Sequence, residues 1–307
     1  MNKILFLIIF TACTSSPSKN YRKNANDETI KSEESYGWVD QLSFDKKDEK
    51  KYIADKDEFS LSNEEASHSL VKESLIGLSM IQLEVLSLKT DDLLIKMNIK
   101  CYQNKFEESF KIADAIYGQY KNNTSYWNQI GTCYYLQSDF AKAVLFYNKS
   151  RDLDPTFFPP VNNLGVVYVK QGKFQKALAA FKKASEMSNF SSTPSYNLAY
   201  LYLRFGTIGK AMPIFKGLQK KSPHDNEVNA ALASANIING DYPTALQIYG
   251  TFDKEILTRP SIGLNYAVAL KLSNRSADAI TAFESVVIGS RIDLKEYSKK
   301  VEKFIRK

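Results

Sequence analysis

The chain has 307 residues, of which 44% are hydrophobic, so it is long enough for one large domain or an array of repeats. Its formal net charge is +7, but acidic residues are interspersed, as in residues 46–51, and no sustained basic stripe of the kind used to bind nucleic acid is present. The two histidines and three cysteines form no HExxH or CxxC motif, and no GxSxG or phosphate-binding glycine loop occurs. We therefore predict a non-catalytic protein without a metal site or cofactor.

The N-terminal residues 1–12 have the pattern of a bacterial signal peptide. Lys3 precedes a seven-residue apolar run, which is too short to span a bilayer as a helix. The run ends in the letters FTAC, which resemble a lipoprotein lipobox. The resemblance implies cleavage before Cys13, lipidation of its thiol and, because Thr14 follows it, sorting to the periplasmic side of an outer membrane. The alternative is an apolar N-terminal helix with an incidental thiol.

Residues 13–61 are rich in Ser, Asn, Lys, Glu and Asp, a composition that cannot bury enough apolar surface to offset the entropy of folding. We interpret them as a flexible linker, which would span on the order of 40 Å root-mean-square. One aromatic stretch, Tyr36 to Val39, interrupts it. That stretch is either a docking peptide, or a chance cluster or the start of an extra helix.

Residues 62–123 are predicted to form an N-terminal cap helix followed by a degenerate repeat. Ser62 and Glu65 have the spacing of a capping box. In the repeat, at about residues 90–123, Asn104 stands where a helix end needs a left-handed residue. The apolar face of the cap helix would consist of Leu70, Leu75, Leu78, Ile81, Val85 and Leu88.

From residue 124 to residue 293 one pattern returns every 34 residues, five times, without an insertion or deletion. Each period holds two small residues twelve positions apart, an aromatic four positions later, and a Gly, Ser or Asn between the small residues. This order predicts a helical hairpin in which small residues allow close approach and an aromatic fills the seam. The residues expected to cap the first helix are Ser138, Gly172, Gly206, Gly240 and Asn274.

These five periods resemble the tetratricopeptide repeat (TPR). The resemblance implies an all-α fold, a right-handed superhelical solenoid of helical hairpins. Residues 294–307 would end it as a C-terminal capping helix whose apolar stripe is Leu294, Tyr297, Val301 and Phe304. The signature places of the first clear repeat are filled by Trp127, Ile130, Gly131, Tyr134, Phe140, Ala143, Tyr147 and Pro155.

Cys101 and Cys133 remain once Cys13 is assigned to a lipid. They take the twelfth and tenth places of successive repeats, so we expect their side chains to point in different directions. An envelope compartment permits a disulfide, but the register favours two buried free thiols.

The resemblance places a partner-binding groove on the concave face, lined by the second, fifth, ninth, twelfth and thirteenth residues of each repeat. The fifth and ninth places lack the Lys and Asn pair with which some members grip a C-terminal carboxylate. The groove is instead aromatic and aliphatic, which suits an apolar helix or extended peptide. The predicted groove residues are Asn128, Thr132, Tyr135, Asn162, Val166, Val169, Tyr196, Tyr200, Leu203, Ile237 and Val268.

We therefore predict a scaffold or adaptor at the bacterial cell envelope, held to the membrane by its lipid and bound to an envelope protein. Assembly of an outer-membrane complex, in the manner of a pilotin in type IV pilus biogenesis, is the first hypothesis. A regulatory adaptor that recruits peptidoglycan hydrolases or proteases is the second. A cytoplasmic chaperone-type adaptor is the third, if the lipobox is not used. A capping segment or a second copy of the protein, as in a homo-oligomer, is an alternative occupant of the groove.

Overall fold

The computed structural model describes residues 79–188, 191–288 and 292–307, with the backbone alone for residues 292–294. The predicted signal peptide, Cys13, the linker and the part of the cap helix before Ser79 lie outside these residues. The described chain forms two compact units, residues 79–194 and residues 195–307. Its regular elements are all helices, and none of those described is long and apolar enough to cross a membrane.

The first unit consists of an N-terminal helix and three helical hairpins. The hairpins pair α2 with α3, α4 with α5, and α6 with α7. The helices are α1 (Met80–Lys89), α2 (Leu93–Tyr102), α3 (Phe106–Tyr120), α4 (Thr124–Leu136), α5 (Phe140–Leu153), α6 (Phe158–Lys170) and α7 (Phe174–Met187).

The second unit also consists of helical hairpins and ends in a single helix. Its helices are α8 (Thr193–Arg204), which begins at the boundary, α9 (Ile208–Lys221), α10 (Asn226–Asn239), α11 (Tyr242–Tyr249), α12 (Lys254–Leu257), α13 (Pro260–Leu272), α14 (Ser276–Glu284) and α15 (Ile292–Ile305).

The ends of the first helices confirm the predicted 34-residue phase. Among the described residues, a positive φ occurs at six positions, and consecutive ones are 34 residues apart. The five predicted caps are among them, and the sixth is Asn104, which ends the first helix of the degenerate repeat. These residues are Asn104, Ser138, Gly172, Gly206, Gly240 and Asn274.

The small residues of the hairpins face aromatic rings, as predicted. A Cβ on Gly131 would lie 2.7 Å from Cδ1 of Tyr147, and one on Gly165 would lie 2.6 Å from Cε1 of Phe181. Both rings are buried. The missing side chain therefore allows the two helices of each hairpin to close on the ring.

The predicted apolar face of the N-terminal cap helix is wrong in the described part. The helix α1 begins at Met80 behind its own capping box, in which Ser79 and Gln82 bond each other's backbone N–H. Ile81 and Leu88 are exposed, at 77% and 80%. Leu83 is buried instead and packs with Ile99 of α2. A different side of the helix thus meets its neighbour.

The prediction of two free thiols is also wrong, because Cys101 and Cys133 form a disulfide with Cα atoms 5.2 Å apart. Two positions in a helix are about 200° apart on its circumference, so the tenth and twelfth places point in nearly opposite directions. On two helices that lie side by side, opposite directions face each other. The bond therefore joins α2 to α4, and the hydroxyl of Ser109 lies 2.9 Å from Sγ of Cys101.

The second unit departs from the regular repeat after α11, which has eight residues where α5, α7 and α9 have fourteen. The chain then turns and forms the four-residue helix α12. Gly263 stands at the Trp place of the following repeat, and a Cβ there would collide with the carbonyl oxygen of Leu257. The glycine thus makes room for α12 against α13.

The final helix α15 packs on the second unit through Tyr297, Val301 and Ile305, which are at most 1% exposed. Phe304, predicted as part of the stripe, is only partly buried, and the side chain of Leu294 lies outside the described residues. The capping stripe is therefore centred on residues four positions apart.

Candidate functional site: the inner helix face

We call the first helices of the hairpins the inner helix face. In the first unit these helices carry buried amide side chains at the fifth, sixth and ninth register places. All are at most 2% exposed. We call this set the amide row, and it consists of Asn98 on α2, Asn128 and Gln129 on α4, and Asn162 and Asn163 on α6.

Hydrogen bonds link part of the amide row across the helices. Nδ2 of Asn163 donates to Oδ1 of Asn128 at 2.9 Å, which ties α6 to α4. Nδ2 of Asn162 reaches Oδ1 of Asn163 at 3.5 Å, the outer limit of a hydrogen bond. The row is therefore continuous from α4 to α6.

Other amide atoms of the row have no hydrogen-bond partner within the described part of the chain. They are both side-chain polar atoms of Asn98, Nδ2 of Asn128 and Oε1 of Gln129. Leaving such a group buried and unpaired costs about 1–3 kcal/mol. Each of these atoms could still bond a donor or acceptor that reaches it.

Thr132, a predicted groove residue, is used inside its own hairpin. Its hydroxyl donates to the carbonyl oxygen of Asn128 at 3.0 Å and lies 3.2 Å from the hydroxyl of Tyr147. Burial raises the pKa of Tyr147, and the Thr132 hydrogen bond opposes that shift. The side chain therefore holds the seam between α4 and α5.

The aliphatic groove residues of the first unit, Val166 and Val169, are both 2% exposed. Tyr135 is partly exposed, its ring centroid is 6.0 Å from that of Phe140, and Nζ of Lys170 lies 5.9 Å from it. Among the predicted groove residues of the first unit, Tyr135 is thus the one that solvent reaches.

The second unit has an aromatic pocket on its first helices. Tyr196 and Tyr200 stack with centroids 6.0 Å apart, and Tyr196 meets Phe215 edge-on at 5.8 Å. The pocket has a volume of about 40 Å³ and is also lined by Leu203, Glu227 and Ser234. Tyr200 is partly exposed, whereas Ile237 and Val268 are fully buried.

The capping helix α15 contacts a wall of this pocket. The hydroxyl of Tyr297 donates to Oδ1 of Asn265, and Nδ2 of Asn265 donates to the Ser234 hydroxyl at 3.2 Å. Burial, and then the neighbouring Tyr249 and Tyr200, raise the pKa of Tyr297. A capping segment thus occupies space beside the pocket in the second unit.

Of the eleven predicted groove residues, Tyr135 and Tyr200 are partly exposed and the other nine are buried. The predicted groove does not include Asn98, Gln129 or Asn163. For Gln129 and Asn163 the signal was present, because amides recur at the fifth and sixth register places of consecutive repeats. Asn98 stands at the ninth place, where the next repeats have Thr132 and Val166. Among the described residues, no group of three His, Cys, Asp or Glu side chains could hold a metal ion.

Comparison with known proteins decides the family. One tetratricopeptide repeat family model matches residues 124–157, and another matches residues 168–235. The chain is a tetratricopeptide repeat protein. The first TPR match covers the hairpin of α4 and α5, and the second runs from α6 to α10.

Solved structures agree with the TPR assignment. A tetratricopeptide repeat protein from Parabacteroides merdae ATCC 43184 matches with a TM-score of 0.51 and 17% identity, over 73% of this chain and 91% of that chain. The APC/C hetero-tetramer Cut9-Hcn1 gives a TM-score of 0.55 at 15% identity, over 74% of this chain and 44% of that chain. No curated protein sequence matches the chain. At these identities the likeness shows the fold alone, and the prediction of an all-α TPR fold is confirmed.

Proposed function

We propose that this TPR protein is a non-catalytic scaffold that holds an extended segment of a protein partner along its inner helix face. The observation that carries the proposal is the amide row, with buried amide atoms on Asn98, Asn128 and Gln129 that lack partners among the described residues. A primary amide donates and accepts, as a peptide group does. A partner's main chain would therefore satisfy the row, whatever its side chains.

The second unit carries a separate contact for a side chain. Its pocket is small and is lined by Tyr196, Tyr200 and Leu203 together with Glu227 and Ser234, so it fits one short side chain rather than a whole helix. Of the two ligands that the sequence suggested, an apolar helix and an extended peptide, this favours the extended peptide.

Access to the amide row requires movement, because its members are at most 2% exposed. We expect association to be slower than the 10⁵–10⁷ M⁻¹s⁻¹ typical of rigid protein surfaces, since binding waits for an opening step. In stopped-flow experiments, the observed association rate would then level off as the partner concentration is raised.

The cellular setting is proposed from the N-terminus and from the disulfide. The lipobox-like sequence before Cys13 suggests a lipid anchor in the outer membrane with the repeats facing the periplasm. The Cys101–Cys133 bond supports an oxidising compartment and speaks against the cytoplasmic adaptor, because disulfides rarely persist in the cytoplasm. An envelope assembly, such as a pilus or secretin complex, is the partner class we favour over the recruitment of wall hydrolases.

Lipidation has a direct test. Cells that express the full chain are grown with radiolabelled palmitate, beside cells that express the Cys13→Ser variant. We expect label and membrane fractionation for the wild type and neither for the variant. Equal labelling or equal fractionation of the two would show that Cys13 carries no lipid anchor.

The inner face is tested by capture from an envelope extract. The baits are the wild type and the Asn98→Leu/Asn128→Leu variant, with a Lys182→Glu/Lys183→Glu variant of exposed α7 lysines as a control. Leucine resembles asparagine in shape. Both side-chain polar atoms of Asn98 are unpaired, so the described side-chain hydrogen bond that the variant loses is the one from Asn163 to Asn128. We expect the amide variant to keep its circular dichroism and to lose a partner that the control retains. A partner retained by all three baits would place binding elsewhere.

A further inference from the structure

A second candidate binding site lies in the second unit, away from the inner helix face. It is a cleft of about 920 Å³ bounded by α9, α10, α11 and the turn that follows α11. This volume is within the range of ligand-binding clefts in proteins. None of the predicted groove residues and no member of the amide row lines it.

The cleft exists because α11 is short. A second helix of ordinary length would continue past Tyr249 beside α9. Here the chain turns at Gly250, Phe252 packs edge-on against Tyr249 at 5.9 Å, and α12 carries the backbone away. The space beside α9 is left open.

The floor of the cleft has the length of a short peptide. It runs along α10, and both the first residue of that helix, Asn226, and the last, Asn239, line the cleft. At 1.5 Å per residue the floor is about 20 Å long. An extended chain rises about 3.3 Å per residue, so about six residues would cover it.

The walls offer polar groups suited to a main chain. The side chains of Asn226, Asn239 and Gln247 make no hydrogen bond with another residue in the described part of the chain. Asn229 is already bonded to the carbonyl oxygen of Pro223 and to Gln219, and so shapes the floor. The free amides could donate to and accept from peptide groups.

The charges of the cleft favour a carboxylate on the ligand. Lys216 and Lys220 lie one turn apart on α9, are exposed, and form no ion pair with any described residue. On the other side, Asp241 is engaged as the helix cap of α11, accepting from the Thr244 N–H at 3.1 Å, while Asp253 makes no such side-chain bond. An acidic side chain would therefore sit against α9 and away from Asp253.

From this geometry we infer that the cleft binds an extended peptide of about six residues, with an Asp or Glu side chain placed between Lys216 and Lys220. The apolar side chains of Met212 and Ile248 at its edge would contact a neighbouring residue of the peptide. Together with the inner face, this makes the chain a scaffold with two separate sites.

The test uses the full chain and a phage-displayed library of random dodecapeptides. Enriched peptides are synthesised with a fluorophore, and their affinities are measured by anisotropy for the wild type and for four variants. Lys216→Glu/Lys220→Glu alters the cleft, and Lys182→Glu/Lys183→Glu is a control with the same charge change on α7. Asp253→Asn removes the opposing carboxylate, and Tyr200→Lys alters the inner face.

We expect at least one family of enriched peptides to contain a shared acidic residue. For that family the cleft double variant should bind about tenfold more weakly, with the α7 control unchanged. Asp253→Asn should bind it more tightly, and Tyr200→Lys should leave its affinity unchanged. The inference is overturned if no acidic family is enriched, if both double variants weaken binding equally, or if Tyr200→Lys alone abolishes it.

Discussion

At the scale of single residues, the hairpins close because a missing side chain meets a large one. Gly131 and Gly165 each face an aromatic ring of the partner helix. Gly263 faces a backbone carbonyl, that of Leu257, and also Cγ2 of Val286 at 2.6 Å. A ring or a methyl group can shift, but a backbone carbonyl in a helix shifts only with its helix. Gly263 is therefore the least replaceable of the three.

The Gly263→Ala variant should be destabilised by about 1–3 kcal/mol, because the added methyl group must push α12 away from α13. Gly217→Ala is the matched control, since nothing lies within 4 Å of a Cβ there and the residue is inside α9. We expect the free energy of unfolding of the control to rise by about 0.5–1 kcal/mol, because alanine reduces the backbone freedom of the unfolded chain. Thermal unfolding by circular dichroism compares them, and equal melting temperatures would refute the tight fit.

Asp154 shapes the turn between α5 and α6. Its carboxylate accepts from the Thr156 hydroxyl at 2.6 Å and from the Thr156 N–H at 2.8 Å, and these bonds hold the pKa of Asp154 below its usual range. A lowered pKa in the folded state means that the stabilisation is present above the ordinary pKa and is lost as the pH falls through the folded value.

We therefore expect Asp154→Asn to flatten the acid side of the stability profile. The free energy of unfolding, measured in urea between about pH 6 and about pH 3, should fall less for the variant than for the wild type. Parallel profiles would show that the Thr156 bonds do not favour the ionised carboxylate.

At the scale of helices, the disulfide joins the degenerate hairpin of α2 and α3 to the first regular hairpin, that of α4 and α5. It links α2 to α4, and both sulfurs are buried. The bridged residues are separated by 32 positions in the chain. Closing a loop of this size in the unfolded state stabilises the fold by about 3–4 kcal/mol.

Replacing both cysteines by alanine should therefore lower the stability of the first unit by about 3–4 kcal/mol. Hydrogen exchange would locate the loss, with faster exchange in α1 to α3 and little change in α13 and α14. The oxidised wild type and its reduced form give the same comparison without mutation. Unchanged exchange in α1 to α3 would contradict a structural role for the bond.

The features that the sequence predicts correctly are those that repeat with the 34-residue period. The cap residues and the small residues facing aromatic rings are fixed within one hairpin, and spacing along the chain determines them. The Cys101–Cys133 bond depends instead on how two neighbouring helices face each other. The exposed Ile81 and Leu88 show the same limit, because apolar spacing on α1 does not say which side meets α2.

The candidate site was only partly predictable for a related reason. The register identified the first helices as the inner face, but it gave no measure of burial, and nine of the eleven groove residues are buried. Unpaired atoms such as Nδ2 of Asn128 appear only when every neighbour is placed. The cleft between α9, α10 and α11 arises because α11 ends early, whereas the spacing of the repeats alone predicts a helix of full length.

At the scale of the whole molecule, we propose a chain with two peptide-binding surfaces and a membrane tether. A partner that engaged both surfaces would bind more tightly than through either alone, because the second contact forms at a high effective concentration. A scaffold of this kind gathers proteins without changing them chemically.

Photo-crosslinking in cells tests whether a partner lies on the inner helix face. p-Benzoylphenylalanine is placed at Tyr135, the partly exposed groove residue of α4, or at Tyr117, a tyrosine of α3 that is 48% exposed. We expect irradiation to join an envelope protein to the chain from position 135 and not from position 117, and the adduct to disappear in the Asn98→Leu/Asn128→Leu background. An adduct from position 117 alone, or one from position 135 that survives in that background, would contradict binding at this face.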